Sequence, residues 1–401
     1  MTIERRNFLR GAAVAAGAAA FSGLAGRANA DTSPNSDPAV PFHGAHQAGI
    51  LTDRQNHGAF LAFDATASSK ADLVDLMQTL TERARFLTAG GVPPQLGITA
   101  PPSDSGLLGP TVPPAGLAIT VAVGASLFDD RFGLAGAKPS KLRPMDAFAD
   151  DNLDRAICDG DLLVQVIAPD HDTVLHAIRD LTRHTRGGMQ PRWRLDGFAG
   201  PPRPTGAPRN LLGFKDGIAN PDVTDPALMN RLVWAGSGEP AWAKGGSYQV
   251  VRKIRMLVEF WDRVTISEQE RMIGRRRDTG APLSGSKETD TPDYADDPIG
   301  STIPLDAHIR IANPRTKASD DSRILRRGYD YDAGLDSNGN LDMGLIFTCF
   351  QSDIDRQFVA VQKRLAGEPL VDYISPVGGG YFFALPGILN PHDWYARSLL
   401  S

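Results

Sequence analysis

Apolar residues along this chain recur with two periods in turn, one suited to strands and one to helices. Gly58–Asp64 (GAFLAFD) is a short apolar run bounded by polar residues and predicts a strand. The stretch SSKADLVDLMQTLTERARFL follows, with Leu73, Leu76, Met77 and Leu80 on one helical face and Ser69 and Asp72 spaced as a capping box. Gly116–Gly124 (GLAITVAVG) predicts a second strand. DLLVQVIAPD then runs into HDTVLHAIRDLTR, a third strand and a second helix whose apolar side carries Val174, Leu175, Ile178 and Leu181.

The second half repeats this order. Tyr248–Asp262 predicts a long strand, Thr265 and Glu268 cap the helix after it, AHIRIANP is short and extended, and GLIFTCFQSD passes into the helical IDRQFVAVQKRL. An offset of 183 residues places Leu162 on Leu345 and Asp170 on Asp353, both pairs at strand-to-helix junctions. The expectation is an α+β fold of two similar halves, residues 43–222 and 223–401, each an antiparallel sheet with helices on its outer face. Pro191–Asn210 and Arg275–Thr302 read as long loops, of the kind that are functional or disordered. Arg275–Arg277 reads as solvated, Asn338-Gly339 as a hairpin turn, and GGGYFFALPG as backbone packed beside a strand.

The first thirty residues form a separate case. Arg5 and Arg6 precede Phe8 and Leu9, an Ala/Gly-rich stretch follows, and Ala28-Asn29-Ala30 is a small-x-small cleavage pattern. This predicts a twin-arginine export signal over residues 1–30, cleavage after Ala30, a flexible arm over 31–42 and a periplasmic location. That route carries folded proteins, often with a cofactor already inserted. Without residues 1–30 the chain loses four arginines and one glutamate, so its formal charge moves from −5 to −8. Such an acidic exported chain is a poor partner for nucleic acid or anionic membrane, and no later apolar run is long enough for a membrane span. Cys158 and Cys349 lie in apolar stretches and read as buried free thiols; Cys-x-x-Cys-His, the signature of covalent haem, does not occur.

Three stretches can carry chemistry. In NLLGFKDGIANPD (Asn210–Asp222), Gly213 and Gly217 frame Asp216. Either Asp216 bonds its own turn, or the glycines bring backbone flush against a flat ligand and Asp216 acts over it as acid or base. His308, in LDAHIRIANPR, is either a satisfied core histidine or an axial metal ligand, with Arg315 placed to pair with an anionic group. In DSRILRRGYDY, Arg326 either ends a surface element or points inward toward an anion.

GFKDGIANP, AHIRIANPR and ILRRGY, in that order and spacing, resemble the dye-decolourising (DyP-type) haem peroxidases. FHGAHQAGI, SLFDDRFGL, GGSYQVVRKI, EFWDR, TGAPL and VGGGYFFALPG extend the resemblance from about Pro41 to the carboxyl end, toward the exported branch linked to ferrous-iron uptake. The resemblance implies two ferredoxin-like halves in a dimeric α+β barrel-like unit, with one non-covalent haem b held mainly by the second. It implies His308 as proximal iron ligand, Asp216 and Arg326 as the distal pair, and Gly217, Ile218 and Ala219 as backbone lying on the haem. Asn313, Pro314 and Arg315 follow the proximal ligand, Arg315 against a propionate. Ile218 stands where the family often has Thr, which removes a hydroxyl beside Asp216.

The implied reaction is reduction of hydrogen peroxide with oxidation of an organic donor or ferrous iron. Tryptophans and tyrosines offer relays for bulky donors. Release of iron from haem, a homodimer, and partners in a ferrous-iron uptake system are further implications. A haem carrier using the same His308 without turnover is the alternative reading. A chlorite-dismutase-like enzyme is disfavoured, because GxxDG would then have no role.

Overall fold

The computed structural model describes residues 38–401; the expected export signal and the first part of the expected arm (31–37) lie outside the described residues. In chain order the first half comprises β1 (His57–Ala65), α1 (Lys70–Ala89), β2 (Ala118–Gly124), β3 (Leu162–Ala168), α2 (His171–His184) and β4 (Met189–Phe198). A short α3 (Pro226–Leu232) leads into β5 (Ser247–Met256), α4 (Val258–Trp261), α5 (Ile266–Ile273) and α6 (His308–Ala312). The chain then runs through β6 (Leu325–Arg326), β7 (Tyr329–Leu335), β8 (Leu341–Gln351), α7 (Ala360–Leu365), β9 (Ile374–Ala384) and α8 (Arg397–Leu400).

All strand pairs are antiparallel. The first half lies side by side in the order β2-β3-β1-β4 and the second in the order β9-β5-β8-β7. The two sheets do not stay separate. Ala122–Gly124 of β2 pair with Phe382–Ala384 of β9, and Phe198 of β4 pairs with Asp330 of β7, so eight strands close into one barrel. Closure removes the free edges that two open sheets would leave.

Strand alternation then sorts the side chains. Phe60, Leu163, Trp193, Val251, Ile346 and Phe382 point to the barrel interior and pack together. Each such fully buried side chain stabilises the fold by about 1.5–3 kcal/mol. The opposite face of β1–β3 is covered by α1 and α2, which bury Leu73, Leu76, Met77, Leu80, Val174, Ile178 and Leu181. On α2 the buried stripe takes in His176 and leaves Leu175 half-exposed; the His176 Nε2 meets an Asp104 carboxylate oxygen at 2.6 Å. On the second half no helix pair of that length among the described residues covers the outer face, and a cavity forms there.

Several sequence expectations change. The first part of the expected loop Pro191–Asn210, Pro191–Phe198, is strand: Trp193 and Leu195 alternate with Arg192, Arg194 and Asp196, and Pro191 sits beside a register shift where Arg192 has no partner on β1. The long strand from Tyr248 ends at Met256, and Val258–Trp261 is a single helical turn. GGGYFFA belongs to β9 itself; Gly379 has φ +120° and a Cβ there would stand 2.0 Å from the Val251 carbonyl. Val40 and Phe42, at the end of the expected arm, pack against the core. Arg275 is buried rather than solvated, because its guanidinium donates to the carbonyls of Gly280 (2.6 Å) and Glu288 (3.1 Å) and so folds the long loop onto itself. Both cysteines are buried free thiols, and Asn338-Gly339 turns the β7–β8 hairpin.

Candidate active site

The cavity lies between the outer face of β5 and β8 and the segment carrying α6 and α7. Its volume is about 260 Å³, and its walls are largely apolar, with Phe214, Ile254, Ile309, Leu345 and Phe347 among them. It continues into a polar vestibule of about 470 Å³ that holds Arg275, Arg315, Lys317 and Arg323 against Asp290 and Asp320.

One wall is built around His308. Its stretch is not extended, as expected from alternation, but a five-residue helix. Alternating Ile309 and Ile311 mimic a strand in the sequence. Tertiary hydrogen bonds override that preference: Arg364 of α7 donates to the carbonyls of Ile311 (3.1 Å) and Ala312 (2.9 Å), and Arg310 to those of Ile303 (2.8 Å) and Asp297 (2.7 Å). His308 is the first residue of this helix. Its Nδ1 meets the Glu368 carboxylate at 2.8 Å, and Glu368 is only 3% exposed. Burial opposes charge on the imidazole, but the Glu368 carboxylate outweighs it and raises the pKa above the ordinary histidine value. Nε2 has no partner among the described residues, and His308 lines the cavity.

The glycine-framed loop also lines the cavity. Asn210 accepts from the N–H groups of Leu212 (3.1 Å) and Phe214 (3.2 Å), and Asp216 donates its own N–H to Pro208 (2.9 Å). Gly217 has φ +97°, a conformation that favours glycine. A Cβ there would meet only the Asn220 amide, at 3.8 Å, so the backbone angle and not crowding selects the residue. Asn220 works as a substitute strand neighbour: its Nδ2 donates to the Arg326 carbonyl (2.9 Å) and its Oδ1 accepts the Arg326 N–H (3.0 Å). These two bonds fasten the loop to β6. Arg326 Nη1 then reaches Asp216 Oδ1 at 2.7 Å.

Asp216 and Arg326 are 28% and 30% exposed, and the surface they expose faces the cavity they line. Burial alone would raise the Asp216 carboxyl. The Arg326 charge, the Gly217 N–H and the Arg54 charge together hold it below the ordinary carboxylate range. Asp216 is therefore ionised, and the Nε and Nη2 of Arg326 make no bond among the described residues.

Ile218, Ala219, Asn313 and Arg315 line the cavity and its vestibule. Pro314 lines neither; it precedes Arg315, whose φ of +56° turns the chain there. Sequence reasoning missed Glu368, Arg364, Asn220 and Arg275. Glu368 lies 60 residues beyond His308 in a Gly-Glu-Pro turn, and nothing periodic marks it. Asn220 was within the quoted motif, where an Asn-Pro stop conceals a side-chain bridge.

A largely apolar cavity lined by an oriented imidazole and by an ionised acid beside a guanidinium can hold a metal macrocycle. The cationic vestibule suits carboxylate substituents at its rim. Comparison with known proteins agrees. The chain matches the family models "Dyp-type peroxidase, N-terminal" over residues 47–199 and "Dyp-type peroxidase, C-terminal" over residues 207–389. It belongs to the DyP-type peroxidases, a family of haem-binding enzymes, and is a haem peroxidase of that type.

It is 52% identical to a deferrochelatase of Escherichia coli K12 over 367 residues, covering 90% of this chain and 87% of that one. A deferrochelatase of Yersinia pestis is 50% identical over 366 residues, covering 90% and 84%. Among solved structures, ferric DtpA from Streptomyces lividans superposes with a TM-score of 0.82 at 34% identity, covering 91% of this chain and 98% of that one. A DyP-type peroxidase from Cellulomonas bogoriensis gives 0.81 at 37% identity, covering 91% and 99%.

Proposed function

We propose that this chain, in two ferredoxin-like halves meeting near residue 222, binds one haem b in the cavity and reduces hydrogen peroxide with Asp216 as its proton-transfer group. The observation that carries this reading is the 2.7 Å pair of Asp216 and Arg326 in the same largely apolar cavity as a histidine whose Nδ1 is already occupied. His308 would hold the iron through Nε2, with Glu368 fixing the ring and raising its basicity. Gly217, Ile218 and Ala219 would lie along the ring face, and Asn313 and Arg315 at its rim, Arg315 against a propionate. Bound haem would supply a redox-active iron centre for the reduction of peroxide.

Asp216 would take a proton from one peroxide oxygen and return one to the other, directly or through one water. The free Nε and Nη2 of Arg326 meet the negative charge gathering on the departing oxygen. Because Arg326 holds the Asp216 carboxyl low, the base stays available in acid, and activity extends below neutral pH. Electrons come from an organic donor or ferrous iron. The names of the similar deferrochelatases suggest removal of iron from haem as a second activity of this chain. The paired Arg5 and Arg6 support export by the twin-arginine route to the periplasm; replacing both with lysine should leave the protein in the cytoplasmic fraction.

Haem titration of the purified protein tests the cofactor reading. Wild type should bind about one haem per chain, with a spectrum of histidine-ligated ferric iron. His308→Ala should lose that spectrum. A His308→Ala protein with an unchanged spectrum would mean that another residue holds the iron.

A further inference from the structure

Reducing one H2O2 to two waters consumes two electrons and two protons. The proton that Asp216 takes and returns supplies neither of them. The electrons come with the donor, but the protons must reach a cavity walled by apolar residues. Asp216, held ionised by Arg326, is a poor place to store one.

Asp330 is near enough to Asp216 for its charge to be felt, although it does not itself line the cavity. On β7 this residue stands opposite Leu345 of β8 and Phe198 of β4. Residues directly opposite in a sheet share a face, and Leu345 lines the cavity. Its neighbours Tyr329 and Tyr331 point the other way, into the barrel interior. Asp330 therefore sits on the cavity side of the barrel wall. It is 7% exposed, and its Oδ1 is buried with no partner among the described residues. A carboxylate oxygen left bare in such a place is costly, whereas a protonated carboxyl is not.

The groups facing it are Asp216 from the glycine-framed loop, Arg54 from the segment before β1 and the Leu211 N–H. Arg54 is tied to the start of β7 by a 2.9 Å bond from Nη1 to the Gly328 carbonyl. Burial first, then the Asp216 charge, push the Asp330 carboxyl up to about 7 against Arg54 and the Leu211 N–H.

We propose that Asp330 is the proton store of the distal pocket, a carboxyl kept protonated near ionised Asp216 and discharged into it once per proton consumed. The transfer breaks the O–H bond at Asp330 and forms one at Asp216, directly or through one water, and moves no electrons. Solvent then reprotonates Asp330. It acts through Asp216 and is a positioning residue, not a catalytic one. The inference rests on the reading of Asp216 as the proton-transfer group.

Infrared difference spectra of the full chain, haem-loaded and haem-free, test it in H2O and D2O across pH. A protonated-carboxyl band should be present at about pH 6, vanish as the pH passes about 7, and be absent from Asp330→Asn. In Asp216→Asn the same band should titrate at lower pH, because the neighbouring negative charge is gone. In peroxide turnover, Asp330→Asn should lose roughly tenfold or more in kcat with haem affinity unchanged, and Asp330→Glu should recover part of it.

The absence of an Asp330 band at about pH 6 overturns the proposal, as does a titration unmoved in Asp216→Asn, even if Asp330→Asn does not fold. So does a kcat for Asp330→Asn within about twofold of wild type with the same pH profile. A wild type inert toward peroxide would instead sink the peroxidase reading, while the band would still decide the charge of Asp330.

Discussion

Asp216 carries a charge because Arg326, Gly217 and Arg54 surround it, and His308 keeps one nitrogen free because Glu368 occupies the other. Each functional side chain thus depends on a neighbour that holds it. Glu368→Gln keeps the shape of the contact but removes the charge. In the haem-free protein it should lower the pKa of His308, measurable by NMR titration, and it should weaken haem binding by roughly 10- to 100-fold. Unaltered affinity would mean that Glu368 only fills space. At this scale the sequence was partly legible. Asp216, His308 and Arg326 drew attention as an acid between glycines, a histidine in an apolar run and paired arginines, but each also had an ordinary structural reading, and only the family resemblance chose between them. Glu368 and Asp330 did not stand out, since their roles come from contacts across long loops that no local pattern encodes.

Among the elements, the least regular segments shape the site. The loop at 210–222 is fixed to β6 by one side chain, Asn220, which both donates to and accepts from the Arg326 backbone. Asn220→Leu keeps approximate size and loses both bonds. It should cost about 1–3 kcal/mol in stability and lower peroxide turnover by roughly 10- to 100-fold while haem stays bound. Calorimetry and steady-state kinetics on the loaded protein would check the two effects separately. The five-residue helix of His308 shows why strand-like alternation misled: so short a helix owes its form to Arg364 and Arg310 and not to its own sequence. The long helices and core strands, whose periodic patterns run over many residues, were legible from the start.

For the whole molecule, barrel closure joins the two halves, and β5 and β8 of the barrel form one wall of the cavity. The repeat of strand and helix order in the sequence pointed to two similar halves. It did not reveal that their sheets join edge to edge, because pairing between distant strands leaves no local signal. Gly379 marks how closely β9 and β5 approach. Gly379→Ala should cost about 1–3 kcal/mol or more by overpacking and by strain at positive φ, seen as a lowered denaturation midpoint.

Stability should also depend on pH through Asp330. Its folded pKa of about 7 lies above the unfolded carboxyl value, so the folded state binds the extra proton. The stabilisation is complete below about pH 4 and is lost as pH rises through about 7. Asp330→Asn should remove that dependence and gain up to about 4 kcal/mol over wild type at alkaline pH. Denaturation midpoints at acid and alkaline pH would measure it.

The most direct test of the account is the rate at which peroxide changes the haem absorption band in a stopped-flow experiment. Wild type, Asp216→Asn and Asp216→Glu would be compared after equal haem loading. The account expects a fast second-order change in wild type, a loss of roughly 100-fold or more in Asp216→Asn, and partial recovery in Asp216→Glu. An Asp216→Asn protein that reacts as fast as wild type would contradict it and leave Arg326 as the group that acts.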